Sequence, residues 1–380
     1  MTSNLRTSID SILNEDKERF RVSPRRCYCS LLYGAITPFD LLTKALAMAH
    51  SIRASTYGLI IMITPDVSAE VRDLIKDSGL FIEVRIVDYI FADKRLFKKD
   101  WFREVFTKFH VFNLVEYSTV IFLDLDVIVN NVPRMDLLFE SDFGYAAMEN
   151  SKGSSAASMW LEHGDLMGRH CKLINAGVIM ASPNRKLFEL LTSHVTSASD
   201  EHVPGMTPEQ FYLARILGHR FHHLSQRYNM EVQLHGGVPI TPTWVSCPFE
   251  EVVLFHFSGC DPLKRVASCC PEWACQSHKR MVKEKWESEF DQDTRTFLNE
   301  RARKAFGQWA FHFGSAIAMV KKLPYFSLNV EMERIGDMLD SENMIVSVSG
   351  GKIQTVNIKK YSLHFPRPSR NPPPLISVST

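Results

Sequence analysis

VIFLDLDVIVN, residues 120–130, is the stretch on which the reading of this chain turns. Four apolar residues run into two carboxylates spaced two apart, and the chain then becomes apolar again. In an extended strand Asp124 and Asp126 project to the same face, because side chains alternate with period two. Residues 120–123 have the unbroken apolar character of a strand buried on both faces, the pattern of a parallel sheet covered by helices. Two carboxylates at the end of such a strand are costly to bury without a cation between them. Either the strand ends at a metal site, or the pair is solvated at the rim.

The surrounding chain repeats the same strand–helix pattern. CYCSLLYGAI, 27–36, reads as a first strand and turn. TPFDLLTKALAMAHSIRAS follows as a helix, with Thr37 suited to cap it and Pro38 to its first turn. YGLIIMIT, 57–64, is a second buried strand, 66–78 an amphipathic helix, FIEVRIV, 81–87, a third strand, and 101–116 a further helix. Such alternation predicts a doubly wound α/β fold with a mainly parallel sheet. Ligands of such sheets bind beyond the carboxyl ends of the strands, where Asp124 and Asp126 fall. Later segments read as strands at 143–149, 172–182 and 252–259, and as helices after Pro183 and near Thr207-Pro208. Residues 150–170 form a Gly/Ser-rich loop of a length that often carries function.

Composition narrows the class. A length of 380 residues with 45% hydrophobic and 23% charged residues is that of a globular chain with a sizeable core. A formal net charge of +1 gives no overall electrostatic case for nucleic acid. The first 26 residues lack the apolar run of a signal peptide and the eight cysteines are sparse, so the expected setting is cytoplasmic, with a secretory-pathway lumen or membrane association as the alternative. AFGQWAFHFGSAIAMV, 305–320, is short for a membrane span and is expected to be a buried or interfacial helix. Cys260, Cys269, Cys270 and Cys275 contain no CxxC pair and are expected to be thiols, with a disulfide or zinc site as the alternatives. The expected organisation is a charged arm over 1–24, a catalytic domain over 25–290, a helical or irregular extension over 291–362, and a Pro-rich, disordered tail over 363–380.

Three kinds of chemistry fit the acidic pair. It can be a solvated rim pair. It can be a nucleophile and acid/base pair of a haloacid-dehalogenase-type phosphatase, although that motif normally lies on a first strand and continues with a Gly-Thr-like turn. It can be a divalent-metal site beneath a nucleotide diphosphate, with oxygen ligands suited to magnesium or manganese.

The order of short motifs along the chain resembles glycosyltransferase family 8, the glycogenin and galactinol synthase group. LLYG, 31–34, resembles its first strand and uridine-binding loop, and MITPDVS, 62–68, its second-strand ending. TKFHVFNLVEYSTVIFLDLDVIV, 107–129, resembles its Thr-Lys-x-His helix followed by Asp-x-Asp. INAGVIM (174–180), PEQ (208–210), RYN (227–229) and HFSG (256–259) resemble its later elements, in the same order, over about 27–264.

The resemblance implies a nucleotide-diphosphosugar transferase fold of the A type and a retaining transfer of a hexose or hexuronic acid from a UDP-sugar to an acceptor hydroxyl. It implies Mn2+, or Mg2+, held by Asp124, Asp126 and His256. Leu31, Tyr33, Lys108, Leu125, Gly259 and Lys264 would contact the donor with the two aspartates. Asn175, Glu209 and Gln210 would lie at the transferred sugar. The acceptor would be a carbohydrate, lipid or protein, and a homodimer is left open.

Two departures bear on activity. Glu209 stands where the family usually has Asp, and Lys264 sits two residues later than the family lysine, with no Pro-Trp after it. No tyrosine lies between Asn229 and His256, so self-glucosylation of the glycogenin kind is not expected. A catalytically silent UDP-sugar-binding protein is the alternative from another class.

Overall fold

The structure is a computed structural model. It describes residues 2–15, 25–34, 38–93, 102–141, 143–149, 166–167, 174–197, 208–218, 220–232, 234–235, 238–239, 247–258, scattered helical residues between 292 and 319, and 343–349 and 352–357. Gly259, Lys264, the four cysteines over 260–275, most of the 150–170 loop and the Pro-rich tail lie outside the described residues.

Helix α1 (Thr2–Glu15) precedes strand β1 (Arg26–Leu32), α2 (Pro38–Ile52), β2 (Gly58–Ile63), α3 (Ala69–Asp77) and β3 (Glu83–Ile86). A 3-10 helix (Val105–Asn113) leads into β4 (Thr119–Leu123), a turn, and β5 (Val127–Val129). Then come α4 (Val132–Asp136), β6 (Tyr145–Glu149), β7 (Leu166–Met167), β8 (Ile174–Ala181), α5 (Arg185–Thr196) and α6 (Pro208–Leu217). The later strands include β9 (His222–Leu224), β10 (Met230–Glu231), β11 (Leu234–His235), β12 (Val238–Pro239) and β13 (Leu254–His256). A separate hairpin pairs Asn343–Ser349 with Lys352–Asn357, within the segment expected to be helical or irregular.

The main sheet runs β3-β2-β1-β4-β8-β6-β9-β7. From β3 to β4 every pairing is parallel. Beyond β4 it is mixed: β8 runs antiparallel to both β4 and β6, whereas β6 and β9 are parallel. Alternate residues feed two cores. Tyr28, Leu32, Ile121 and Leu123 pack on one face with α2, and Cys27, Cys29, Val120 and Phe122 pack on the other. Both faces are covered, which is why β1, β2 and β4 are apolar at nearly every position. Cys27 and Cys29 are buried free thiols.

Local structure departs from expectation in a few places. The segment read as a helix over 101–116 is a 3-10 helix instead. Six of its nine residues are buried, among them Phe106, Thr107, Lys108 and Phe109, and no side chain caps its start. Crowding of bulky and β-branched side chains on most of its surface disfavours a regular α-helix there. Helix α5 is capped by Asn184, whose side chain accepts from Leu187 N, rather than opened by Pro183.

Helix α1 packs against the domain. Ile9 is fully buried, and the Arg220 guanidinium donates to Asp10 at 2.8 Å. In the 305–320 segment, Ala305, Trp309 and Ala316 are buried in the core. His50 of α2 and His312 share a 2.9 Å Nδ1–Nδ1 contact, and burial pulls their imidazoles down to about 2 and about 3. Among the described residues no helix is long and apolar enough to cross a membrane.

The strand 252–259 narrows to β13, which leaves the main sheet altogether. It joins a small sheet of order β10-β13-β5, parallel to β10 and antiparallel to β5. The antiparallel pairing sets His256 opposite Val127, and the Phe257 amide donates to the Asp126 carbonyl at 2.8 Å. Strand β5 begins immediately after the acidic pair, so the small sheet brings residue 256 to residues 124–126.

Candidate active site

The rim of the sheet at the end of β4 gathers charge from five parts of the chain. Strand β4 stops at Leu123, and the turn that follows buries Leu125 in the core while Asp124 and Asp126 stay half-buried. Strand β8, running the other way, delivers its first residues to the same rim. The Asp124 amide donates to the Gly177 carbonyl at 2.9 Å. The β6–β8 register shifts between Ala147, paired with Ile179, and Met148, paired with Asn175, so Ala176, Gly177 and Val178 are left without β6 partners beside the acidic pair.

Asp124, Asp126 and His256 each offer a ligand atom, and these atoms all lie within 4.8 Å of one another. His256 Nε2 is 3.3 Å from Asp126 Oδ1. Gly177 makes the approach possible: a Cβ built there would overlap the His256 ring at Cε1, Nδ1 and Nε2. Lys108 Nζ is 2.8 Å from Asp124 Oδ1 and donates to the Ala176 carbonyl at 3.1 Å. Glu209, in the first turn of α6, is buried within the field of Lys108 and Asp124 and is hydrogen-bonded by Gln210.

The electrostatics are those of a crowded acidic site, with Lys108, Lys44 and the His256 imidazole set against its carboxylates. Burial acts to lower the Lys108 ammonium, but Asp124 and Glu209 outweigh it and hold its pKa above the usual lysine value. Burial opposes ionisation of Asp126, yet His256 and Lys44 keep its carboxyl below the ordinary range. The His256 imidazole is held up by Asp126 and Asp124 against burial. Glu209 is pushed up by burial, with Lys108 pulling against it. The Tyr33 phenol, just beyond β1, is pushed up by burial and then by Glu209 and Asp124, which places it beside the cluster.

The loop after β1 is held from one side. Gly34 has φ +98°, a conformation side chains rarely adopt, and its amide donates to Tyr89 Oη at 3.0 Å. Tyr89 in turn donates to Asp66 at 2.8 Å, and Asp66 also accepts from Thr64 at 2.5 Å. These contacts fix the segment carrying Tyr33.

Of the residues singled out from sequence, the structure brings Lys108, Asp124, Asp126, Asn175, Glu209, Gln210, Tyr33 and His256 to this rim. Leu31 and Leu125 are there too, with buried side chains. Gly259 and Lys264 are outside the described residues. Sequence reasoning assigned no role to Asn229 or Glu231. Asn175 Nδ2 donates to Glu231 at 2.8 Å, and Asn175 Oδ1 accepts from the Gly177 amide at 2.9 Å and from Asn229 Nδ2 at 3.0 Å. Asn229 Oδ1 lies 2.8 Å from His256 Nδ1. Most of the hydrogen-bonding capacity of Asn175 is therefore spent within the protein. The Tyr-Asn motif marked Asn229, but nothing local in the sequence ties it to His256.

The model of the family described as glycosyl transferase family 8 matches residues 13–264. The chain belongs to glycosyltransferase family 8. It is a glycosyltransferase that uses a nucleotide sugar. An uncharacterized protein, R707, of Acanthamoeba polyphaga mimivirus is 26% identical over 217 residues, covering 54% of this chain and 72% of the viral protein. UDP-glucuronate:xylan alpha-glucuronosyltransferase 1 of Arabidopsis thaliana is 26% identical over 184 residues, 48% of this family 8 chain and 24% of that enzyme. Galactinol synthase 4 of the same plant is 28% identical over 131 residues, 33% of this chain and 37% of that enzyme. The chain thus spans well under half the length of these two plant relatives. Among solved structures, the glycosyltransferase GlyE of Streptococcus pneumoniae TIGR4 aligns with a TM-score of 0.41 at 17% identity, covering 74% of this chain and 64% of GlyE.

Proposed function

We propose that this chain is a retaining, metal-dependent glycosyltransferase that moves a hexose or hexuronic acid from a UDP-sugar to an acceptor hydroxyl, with Mn2+ as the ion and Mg2+ as a weaker substitute. The observation that carries this reading is the convergence of Asp124, Asp126 and His256 ligand atoms within 4.8 Å at the carboxyl rim of the sheet. Two carboxylates and one imidazole make a mixed oxygen and nitrogen donor set. That set suits manganese, whereas magnesium favours oxygen alone. When bound there, the ion supplies Lewis acidity to the oxygens of the departing diphosphate.

The chain's own residues do the rest. Lys108, held charged by Asp124 and Glu209, places a fixed positive charge where phosphate oxygens gain negative charge. Glu209 presents buried carboxylate oxygens, and a carboxylate facing the anomeric carbon stabilises oxocarbenium-like charge. Tyr33 and the braced loop after β1 line the nucleotide side. Gly259 and Lys264 are assigned to the diphosphate by motif position alone.

Retention follows if the acceptor hydroxyl attacks from the face of the leaving group. The anomeric carbon–phosphate oxygen bond breaks, the bond to the acceptor oxygen forms, and the hydroxyl proton passes to the diphosphate. Because the plant relatives are longer than this chain, the transferred sugar is left as a class.

The test is a thermal-shift screen of nucleotide sugars with and without Mn2+, followed by UDP-release assays. UDP-sugars should raise the melting temperature only with metal, and Asp126→Asn should abolish that shift while the apo protein still melts cooperatively. An Asp126→Asn protein that binds UDP and Mn2+ as wild type does sinks the assignment. UDP binding with no release across varied acceptors favours the silent-binder alternative.

A further inference from the structure

His256 can serve as a ligand through Nε2 only if its ring proton sits on Nδ1. In an imidazole that choice is set by what the other nitrogen meets. Here it meets the end of a buried chain of amides running Glu231–Asn175–Asn229–His256.

The direction of the chain is fixed from two independent ends. Glu231, as a carboxylate, can only accept, so the group facing it from Asn175 must be the donor Nδ2. The Gly177 backbone amide can only donate, so the group facing it must be Asn175 Oδ1. Both constraints choose the same rotamer of Asn175. Its Oδ1 then demands a donor from Asn229, which turns Nδ2 toward Asn175 and leaves Oδ1 facing the imidazole. An acceptor at 2.8 Å from Nδ1 requires Nδ1 to carry the proton. In the neutral ring the Nε2 lone pair is thereby left pointing into the space shared with Asp126 and Asp124.

The links sit where water cannot compete. Asn229 is fully buried and Asn175 and His256 nearly so. The ring has little freedom to flip, since Gly177 closes on it and the Val232 amide holds the His256 carbonyl at 2.7 Å.

We propose that Asn229 is a positioning residue that sets the tautomer of His256, with Asn175 and Glu231 fixing its orientation, so that the ligand set is chosen before any ion arrives. The proposal rests on the metal reading above and specifies which side chains keep that site competent.

The test pairs two substitutions with a spectroscopic readout on wild type. Asn229→Leu removes the acceptor at similar volume. Asn229→Asp keeps an oxygen acceptor on Nδ1–H but loses the Nδ2 donor to Asn175 Oδ1. Mn2+ affinity, read by titration calorimetry on the full chain without donor, should fall about 10- to 100-fold in Asn229→Leu, the usual range for an outer-shell partner of a ligating histidine. Asn229→Asp, which keeps the acceptor on Nδ1, should bind Mn2+ at least about threefold more tightly than Asn229→Leu. Long-range 1H–15N correlation spectra of the metal-free wild type, recorded at a pH high enough to leave the ring neutral, should show the remaining His256 proton on Nδ1.

A wild-type spectrum with the proton on Nε2, equal Mn2+ affinity in Asn229→Leu and wild type, or an Asn229→Asp affinity as poor as that of Asn229→Leu each overturns the proposal. If Asn229→Leu does not fold, the spectrum and Asn229→Asp still decide. If wild type binds no Mn2+, the functional reading fails while the spectrum tests the relay by itself.

Discussion

The two ends of the parallel half of the sheet use the same residue types and reach opposite results. At the amino end, Asp136 accepts from Tyr28 Oη at 2.6 Å and from Ser55 at 2.7 Å. Glu140 accepts from Tyr57 Oη at 2.7 Å and is paired with Arg26 at 2.5 Å. Each carboxylate there meets its own donors. At the carboxyl end, Asp124, Asp126 and Glu209 converge on one ammonium and one imidazole. Acceptors outnumber donors in a half-buried setting, which is unfavourable unless a cation is added. Balanced polar contacts hold a structure in one state. An unbalanced cluster kept in place by the surrounding fold is prepared for a ligand.

The contrast breaks most visibly by removing charge from the crowded end. Asp124→Asn should cut metal-dependent UDP release by at least about a hundredfold, beyond what an outer-shell change costs. Its thermal midpoint should move little, because Glu209 and Asp126 still face Lys108. Loss of activity together with loss of folding would put Asp124 on the structural side of the comparison.

Gly177→Ala probes both properties at once. Its Cβ has no room beside His256, and overpacking of this kind typically costs about 1–3 kcal/mol. Denaturant unfolding should show that loss, and Mn2+ titration should show weaker binding as the ring is displaced. The smallest effect is expected at the balanced end. Tyr28→Phe deletes one buried donor to Asp136 and should lower unfolding free energy by about 1 kcal/mol. UDP release per folded molecule should stay at the wild-type level, and a fall there would mean the two ends are not independent.

Much of this was readable in the linear chain. The buried strands announced themselves through unbroken apolar runs, and the acidic pair stood at a strand end where open α/β sheets place their sites. His256 was found through its place in an ordered set of motifs. What escaped was non-local. Strands β10 and β13 are only two and three residues long, so no periodicity marks them, yet their pairing sets Glu231 beside His256. The amide chain from Glu231 to His256 depends on that pairing and on the break in β8, and neither leaves a trace in local composition. The stretch around Lys108 reads in the sequence as a helix over 101–116, with nothing local to mark its type. Burial on most of its surface tightened it into a 3-10 helix.

The reversed course of β8 frees one part of the chain to vary. Strands β6 and β8 pair antiparallel with each other, and β8 is also clamped to β4. The chain between residues 149 and 174 has both ends at the same rim and is tied to the sheet between them only where β7 pairs with β9 among the described residues, and doubling the length of a flexible connection costs only about 0.6 kcal/mol in closure entropy. Relatives could therefore lengthen, shorten or rewrite that connection, and with it whatever it recognises, without shifting the pocket of acids and imidazole by a single ladder position.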